Sequence, residues 1–146
     1  MKKGLARMLV TAIVSAAILC AAGCEGEVSF TTAKLSEATM AQGVSDENKP
    51  VNPTNTFAPD SPQIWCSVKL SNAPEDTEVN SIWIYVGGEL EDVTDFEIDQ
   101  FSVVTDGTRY ISFSMNRPDN GWPRGDYELG LYVDGKESKT LPFSVA

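Results

Sequence analysis

From Gln63 to Val145, apolar side chains recur at every second position in short runs, each closed by turn chemistry. A period of two puts alternate residues on opposite faces of an extended chain, which commits this part of the sequence to half-buried strands. Ile64, Cys66, Val68 and Leu70 form one such row, set against Trp65, Ser67 and Lys69. Val79–Val86 is a second strand ended by Gly87-Gly88, and Phe96–Val104 is a third, less regular one. Ile111, Phe113 and Met115 share a face, as do Tyr127, Leu129, Leu131 and Val133, and then Leu141, Phe143 and Val145. Asn72–Asp76, Asp106-Gly107 and Asn116–Gly125 are read as the loops and turns between them. Asp134-Gly135 is the strongest hairpin signal, because both central positions of a two-residue turn want positive φ. No stretch of this region has helical periodicity. The expectation is an all-β fold, an antiparallel two-sheet β-sandwich of about seven strands over residues 63–146.

Upstream, Ala41–Pro62 holds Pro50, Pro53, Pro59 and Pro62 among small polar residues. Proline removes a backbone donor, so this stretch is excluded from helix and is poor sheet interior. Residues 37–62 are therefore expected as an extended segment, with Val51–Phe57 an edge strand and Phe57 its anchor into the core. Residues 24–36 read as a tether.

The first residues carry an address. Lys2, Lys3 and Arg7 precede an apolar run over Met8–Cys20, and Ala21-Ala22-Gly23 supplies the small residues needed beside a cleavage site. The run is short of the roughly 20 apolar residues of a membrane-spanning helix. Ala21-Ala22-Gly23-Cys24 resembles the lipobox of bacterial lipoproteins, with Ala21 where Leu is usual. That resemblance implies a leader over residues 1–23 that is removed, and a lipid-modified Cys24 as the new N-terminus. The protein would then be extracytoplasmic, with the lipid bilayer as its partner through Cys24. More than one acyl chain is needed for such attachment to be stable.

Loss of the leader removes three cations, leaving eight Lys and Arg against 21 Asp and Glu, a formal charge of −13. This excludes nucleic acid as a partner, since phosphates need a basic face. Cys20 leaves with the leader and Cys24 would carry lipid, so Cys66 is the one thiol of the folded part and no internal disulfide can form. The chain has no histidine, which rules out Ser-His-Asp and Cys-His catalysis. Cys66 alternates in phase with Ile64 and Val68, as a buried core thiol would, and no cofactor is expected.

Two stretches resemble immunoglobulin-like and fibronectin type III domains. Trp83, in Ile82-Trp83-Ile84-Tyr85, stands where those folds bury a Trp on their third strand. Pro123-Arg124-Gly125-Asp126-Tyr127 resembles their tyrosine corner, in which a Tyr hydroxyl bonds back to nearby backbone. Cys66 has Leu129 opposite rather than a disulfide partner, as in disulfide-free members of the group. The layout also resembles single-domain bacterial lipoproteins of this type, which brings no activity with it.

Two surface features are candidates for function. If Trp83 points inward, then Ile82, Ile84 and Val86 point outward, beside Tyr132. An outward sheet face should carry polar residues, so this strip marks a contact surface for a protein partner or a second copy, unless the N-terminal segment covers it. Glu89, Glu91, Asp92 and Asp95, continued by Glu97 and Asp99, form an acidic stretch. It reads as a solvated face or weak cation site, without calcium-loop spacing and without an aromatic or basic residue placed to position a substrate. Trp122, between Gly121 and Pro123, is expected to plug the end of the fold, with an exposed binding aromatic as the alternative. The function expected is binding or structural association at a membrane rather than catalysis. An inhibitor or chaperone-like module is the alternative, followed by an enzyme working with carboxylates alone.

Overall fold

A computed structural model describes residues 31–146; the leader and Cys24 lie outside the described residues. Seven strands run through the described part: β1 (Lys34–Val44), β2 (Pro50–Pro53), β3 (Thr56–Phe57), β4 (Gln63–Gly88), β5 (Phe96–Asn116), β6 (Gly125–Val133) and β7 (Lys136–Val145). They are hydrogen-bonded in the order β2-β1-β4-β6-β7-β3, with β5 paired to β4. All pairs are antiparallel except β3 with β7. The pairing is continuous, so the architecture is one curled sheet where two separate sheets are expected from the sequence.

The curl comes from β4 and β5. Asn72–Asp76 and Asp106-Gly107, read as loops, are bends inside these two long strands, because pairing resumes on both sides of them. The register slips between Leu70 and Ala73 and again between Ala73 and Thr77, while Ala73 stays opposite Gly107. Asn72, Asp76 and Gly107 take positive φ at the bend. Extra residues in one strand of a pair increase local twist and redirect the chain without ending the ladder. As a result the first half of β4 lies between β1 and the second half of β5, and its second half between the first half of β5 and β6.

Strand β1 is not legible as a strand in the sequence, and the sheet starts at Lys34 rather than after a tether ending at Ser36. Its register shifts between Ser36 and Thr39, with Glu37 at φ 51°. That bulge breaks the alternation: Leu35, Met40 and Ala41 are all buried although they do not share parity. The expected edge strand over Val51–Phe57 is two short pieces on opposite edges, β2 against β1 and β3 against β7. Phe57 is buried, as expected of an anchor.

The core follows the alternation read from the sequence. Ile64, Cys66, Val68 and Leu70 have no exposed surface, and Trp83 is 1% exposed. The Trp83 indole N–H donates to Ser81 Oγ at 3.2 Å, which satisfies its one polar group inside the core. The Tyr127 hydroxyl donates to the Pro123 carbonyl at 2.6 Å, the corner expected at the start of β6. Asp134 and Gly135 both have positive φ, and the turn is tied to β4 by Glu78 N–H on Asp134 Oδ1 at 2.9 Å.

Cys66 is walled off from solvent, and burial pushes its thiol up to about 12, against a smaller lowering by the Thr39 backbone. The unfolded thiol titrates near 9, so above that pH the unfolded chain binds fewer protons than the folded one and stability falls as pH rises. By about pH 10.5 this single group should cost about 2 kcal/mol. Denaturant titrations at neutral and alkaline pH should show that loss in the parent and a flatter profile in Cys66→Ala. Trp83→Ala should cost about 3–5 kcal/mol through lost burial and the cavity left behind. A denaturation midpoint equal to the parent's would place Trp83 outside the core.

Candidate functional site

At the end of the sheet where β4 stops and β6 starts, the two strands run almost into contact. A Cβ on Gly88 would sit 2.5 Å from the Gly125 Cα and 2.6 Å from the Arg124 carbonyl oxygen, so only glycine fits there. The loop between β4 and β5 is therefore pinned at its base, with Glu89 N–H on the Arg124 carbonyl at 2.9 Å and Asp95 N–H on the Val86 carbonyl at 3.1 Å. Tyr85 holds its first residues. Its hydroxyl accepts from Leu90 N–H at 3.0 Å and donates to the Arg124 carbonyl at 3.4 Å.

The facing loop, between β5 and β6, is held by the proline-rich segment that precedes β4. Trp122 N–H donates to the Pro59 carbonyl at 2.9 Å, and the indole N–H to the Ser61 carbonyl at 2.7 Å. Gly121, at φ 83°, has the Pro59 carbonyl oxygen 3.1 Å from where a Cβ would be. Trp122 is buried, as expected of a plug. Its seat is made of carbonyl acceptors, those of Pro59 and Ser61, in a segment whose prolines supply no backbone donors.

Between the two loops lies a cavity of about 620 Å³, open on one side. Its apolar wall includes Tyr85, Leu90, Val93, Phe96, Trp122 and Tyr127, and Glu89 and Asp119 reach its border. Cavities of roughly 300–1,000 Å³ are the size that holds a small ligand or a few side chains. The polar groups of the floor are already engaged. Burial, with smaller contributions from Tyr85 and Glu89, holds the Tyr127 phenol far above its usual range, so it remains a fixed donor to Pro123. Glu89 Oε2 accepts from Arg124 N–H at 3.2 Å. Leu90 and Phe96, by contrast, are 42% and 57% exposed.

The structure places Ile82, Ile84, Val86 and Tyr132 together on the outward face of the second half of β4 and of β6, each half-buried. The Tyr132 ring lies over Gly130, where a Cβ would meet its Cε1 at 3.1 Å. In the described part β1 and β2 join the first half of β4 and β3 edges β7, so the N-terminal segment approaches this strip only at its Val86 end, where Asn55 and Thr56 share a shallow depression with it. The other half of the sheet has a cover of its own. Ser67 Oγ donates to the Asn48 carbonyl at 2.6 Å, and Ser112 Oγ to Asn48 Oδ1 at 2.9 Å, so the turn after β1 closes over that face.

Glu89, Glu91, Asp92 and Asp95 are all exposed, and among the described residues no three acidic, Cys or His side chains converge as metal ligands. The acidic stretch does not stand apart from aromatics, contrary to the sequence reading: Phe96 belongs to it, and folding brings Tyr85, Trp122 and Tyr127 alongside. The cavity escaped sequence reasoning because its walls come from segments about thirty residues apart. The signal available was Leu90, Val93 and Phe96, apolar residues set in a run of carboxylates where a solvated loop needs none.

No protein-family model matches this chain, and no curated protein is similar to it in sequence. Solved structures do resemble it. An immunoglobulin-like protein from Pseudomonas aeruginosa is 14% identical, with a TM-score of 0.52 over 78% of this chain and 96% of that one. β-Glucosidase 3B from Thermotoga neapolitana is 12% identical, with a TM-score of 0.50 over 82% of this chain but 16% of that one. An alkylpurine DNA glycosylase from Pseudomonas fluorescens is 16% identical, with a TM-score of 0.47 over 77% of this chain and 30% of that one. This chain thus spans less than a third of the length of either enzyme. At such identities the likeness extends to fold alone, and the fold of residues 31–146 is all-β and immunoglobulin-like.

Proposed function

We propose that this protein is a non-enzymatic binding domain, tethered outside a bacterial cytoplasm by lipid on Cys24, that receives a partner in the cavity at the end of its sheet. The curled sheet is read here as a two-layered sandwich, in which β1 and the first half of β4 face the second half of β4, β6 and β7. A core shared by Met40, Cys66 and Phe113 with Trp83, Leu129 and Phe143 supports that reading.

The observation that carries the functional proposal is the contrast inside the cavity. Tyr85, Tyr127 and Trp122 spend their polar atoms on holding the two loops in place, and Glu89 gives one carboxylate oxygen to the same end, which leaves carboxylates only at the border. What remains for a visitor is an apolar wall on a rigid frame, an arrangement suited to holding a side chain or apolar moiety. Bond-making chemistry would instead want convergent groups with free protons or lone pairs. The anchor rests on Ala21-Ala22-Gly23-Cys24 following an apolar leader. The half-buried strip of Ile82, Ile84, Val86 and Tyr132 offers a flatter surface, less suited to a small anchor because Tyr132 already fills the space above Gly130.

Two measurements test this reading. Mass spectrometry of the mature protein should find a lipid-modified Cys24, and Cys24→Ser should lose the lipid and leave the membrane fraction; an unmodified Cys24 in the native protein ends the anchoring proposal. A photo-crosslinking amino acid placed at position 90 in cells should capture a partner, while the same group at position 84 should not. Capture from position 84 alone would move the contact to the outward sheet face. Silence at both positions would end the binding proposal.

A further inference from the structure

The strand that walls the cavity is also an edge. The first half of β5, from Phe96 to Thr105, pairs with β4 on one side, and no described strand lies on the other. Its outer N–H and C=O groups are a template for another extended chain. The large apolar side chains exposed in the described part gather here: Leu90, Phe96, Phe101 and Val104 are among the five, with Val51 the exception. Phe96 and Ile98 line the cavity and sit on this same edge, so cavity and edge form one continuous surface.

The charge around that surface has one sign. Between Lys69 and Arg109 the chain contains ten carboxylates and no Lys or Arg. Six of the ten, Glu89 to Asp99, lie on the loop and strand in question, and in the described part none of the six is in a salt bridge. A second copy of this chain approaching edge to edge would bring carboxylate against carboxylate, which disfavours self-pairing. The same field attracts a cationic chain and raises its rate of encounter.

We propose that the free edge of β5 and the adjoining cavity take an extended, lysine- or arginine-rich peptide segment, which adds a strand to the sheet and inserts one apolar side chain beside Phe96 and Trp122. Main-chain hydrogen bonds to the edge give affinity without regard to sequence, the cavity selects the apolar residue, and the carboxylates select the charge. Alternate residues of a strand point to opposite faces, so apolar and cationic residues would alternate in such a segment. The proposal rests on the reading of the cavity as the binding site.

The test uses the full chain in nanodiscs of zwitterionic lipid and a fluorescein-labelled peptide that alternates lysine with valine around one central phenylalanine, followed by fluorescence anisotropy. The lysine peptide should bind, and a glutamate-for-lysine analogue should bind at least about tenfold more weakly. An analogue N-methylated at alternate backbone nitrogens loses its edge donors and should weaken by a similar factor. Phe96→Ser and Leu90→Ser, both at exposed positions, should weaken the parent peptide about fivefold or more while the melting temperature stays within a few degrees. Equal binding of the N-methylated peptide overturns strand addition, and equal binding of the glutamate peptide overturns the charge requirement. In both of those cases a continued loss in Phe96→Ser would leave the cavity as the binding site. Unchanged affinity in both serine variants, or no binding of the lysine peptide at all, overturns the present proposal, and the first of these also removes the cavity from the binding surface.

Discussion

Six aromatic rings form the contact on which the rest of this structure depends. Phe143 meets Phe57 and Trp83 edge-on, at 5.8 and 6.0 Å between centroids, and stacks on Tyr127 at 5.1 Å. Tyr127 in turn meets Tyr85 at 5.1 Å and Trp122 at 6.4 Å. This chain of rings joins β3, β4, β6, β7 and the loop before β6 without any covalent link. Each edge-to-face pair contributes about 0.5–1.5 kcal/mol beyond the area it buries. A chain whose only described cysteine is a buried free thiol must obtain its cohesion in this way.

The rings at one end of that cluster serve two purposes. Trp83 and Phe143 are interior, whereas Tyr85, Trp122 and Tyr127 have their far edges on the cavity. Their hydroxyl and indole groups fasten the two loops that flank it, so the cavity floor is built from side chains of the core. In the proposed binding role, such support lowers the cost of ordering the site when a partner arrives.

A long strand that crosses from one half of the sheet to the other explains how so few elements enclose a core. The bends at Asn72–Asp76 and Asp106-Gly107 fold β4 and β5 together, as a pair, and so keep their hydrogen bonds through the corner. Bulged residues with positive φ are the local means, and Asn, Asp and Gly are the residue types that accept that conformation at least cost. The turn chemistry visible in the sequence was therefore real, and its outcome was a corner rather than a loop.

The alternation of Ile64–Leu70, Ile111–Met115, Tyr127–Val133 and Leu141–Val145 determined by itself the all-β class and the burial of Cys66, because a period of two survives whatever the strand pairs with; it left the direction of Trp83 open, since Ile82, Ile84 and Val86 make both faces of that strand apolar. The Asp134-Gly135 turn and the Tyr127 corner were equally local, each made by neighbours in the chain. Tertiary structure alone decided what depends on distant residues. Strand β1 was hidden because its bulge at Glu37 breaks the period, and it is a strand only because β4 is there to pair with it. The continuity of β4 and β5 through their bends required both strands at once. The cavity needed Trp122, seated on Pro59 and Ser61, to meet Leu90 and Phe96 from a segment some thirty residues away. No pattern within one segment records such a meeting, since the side chains that form it are adjacent only after the core has brought their strands together.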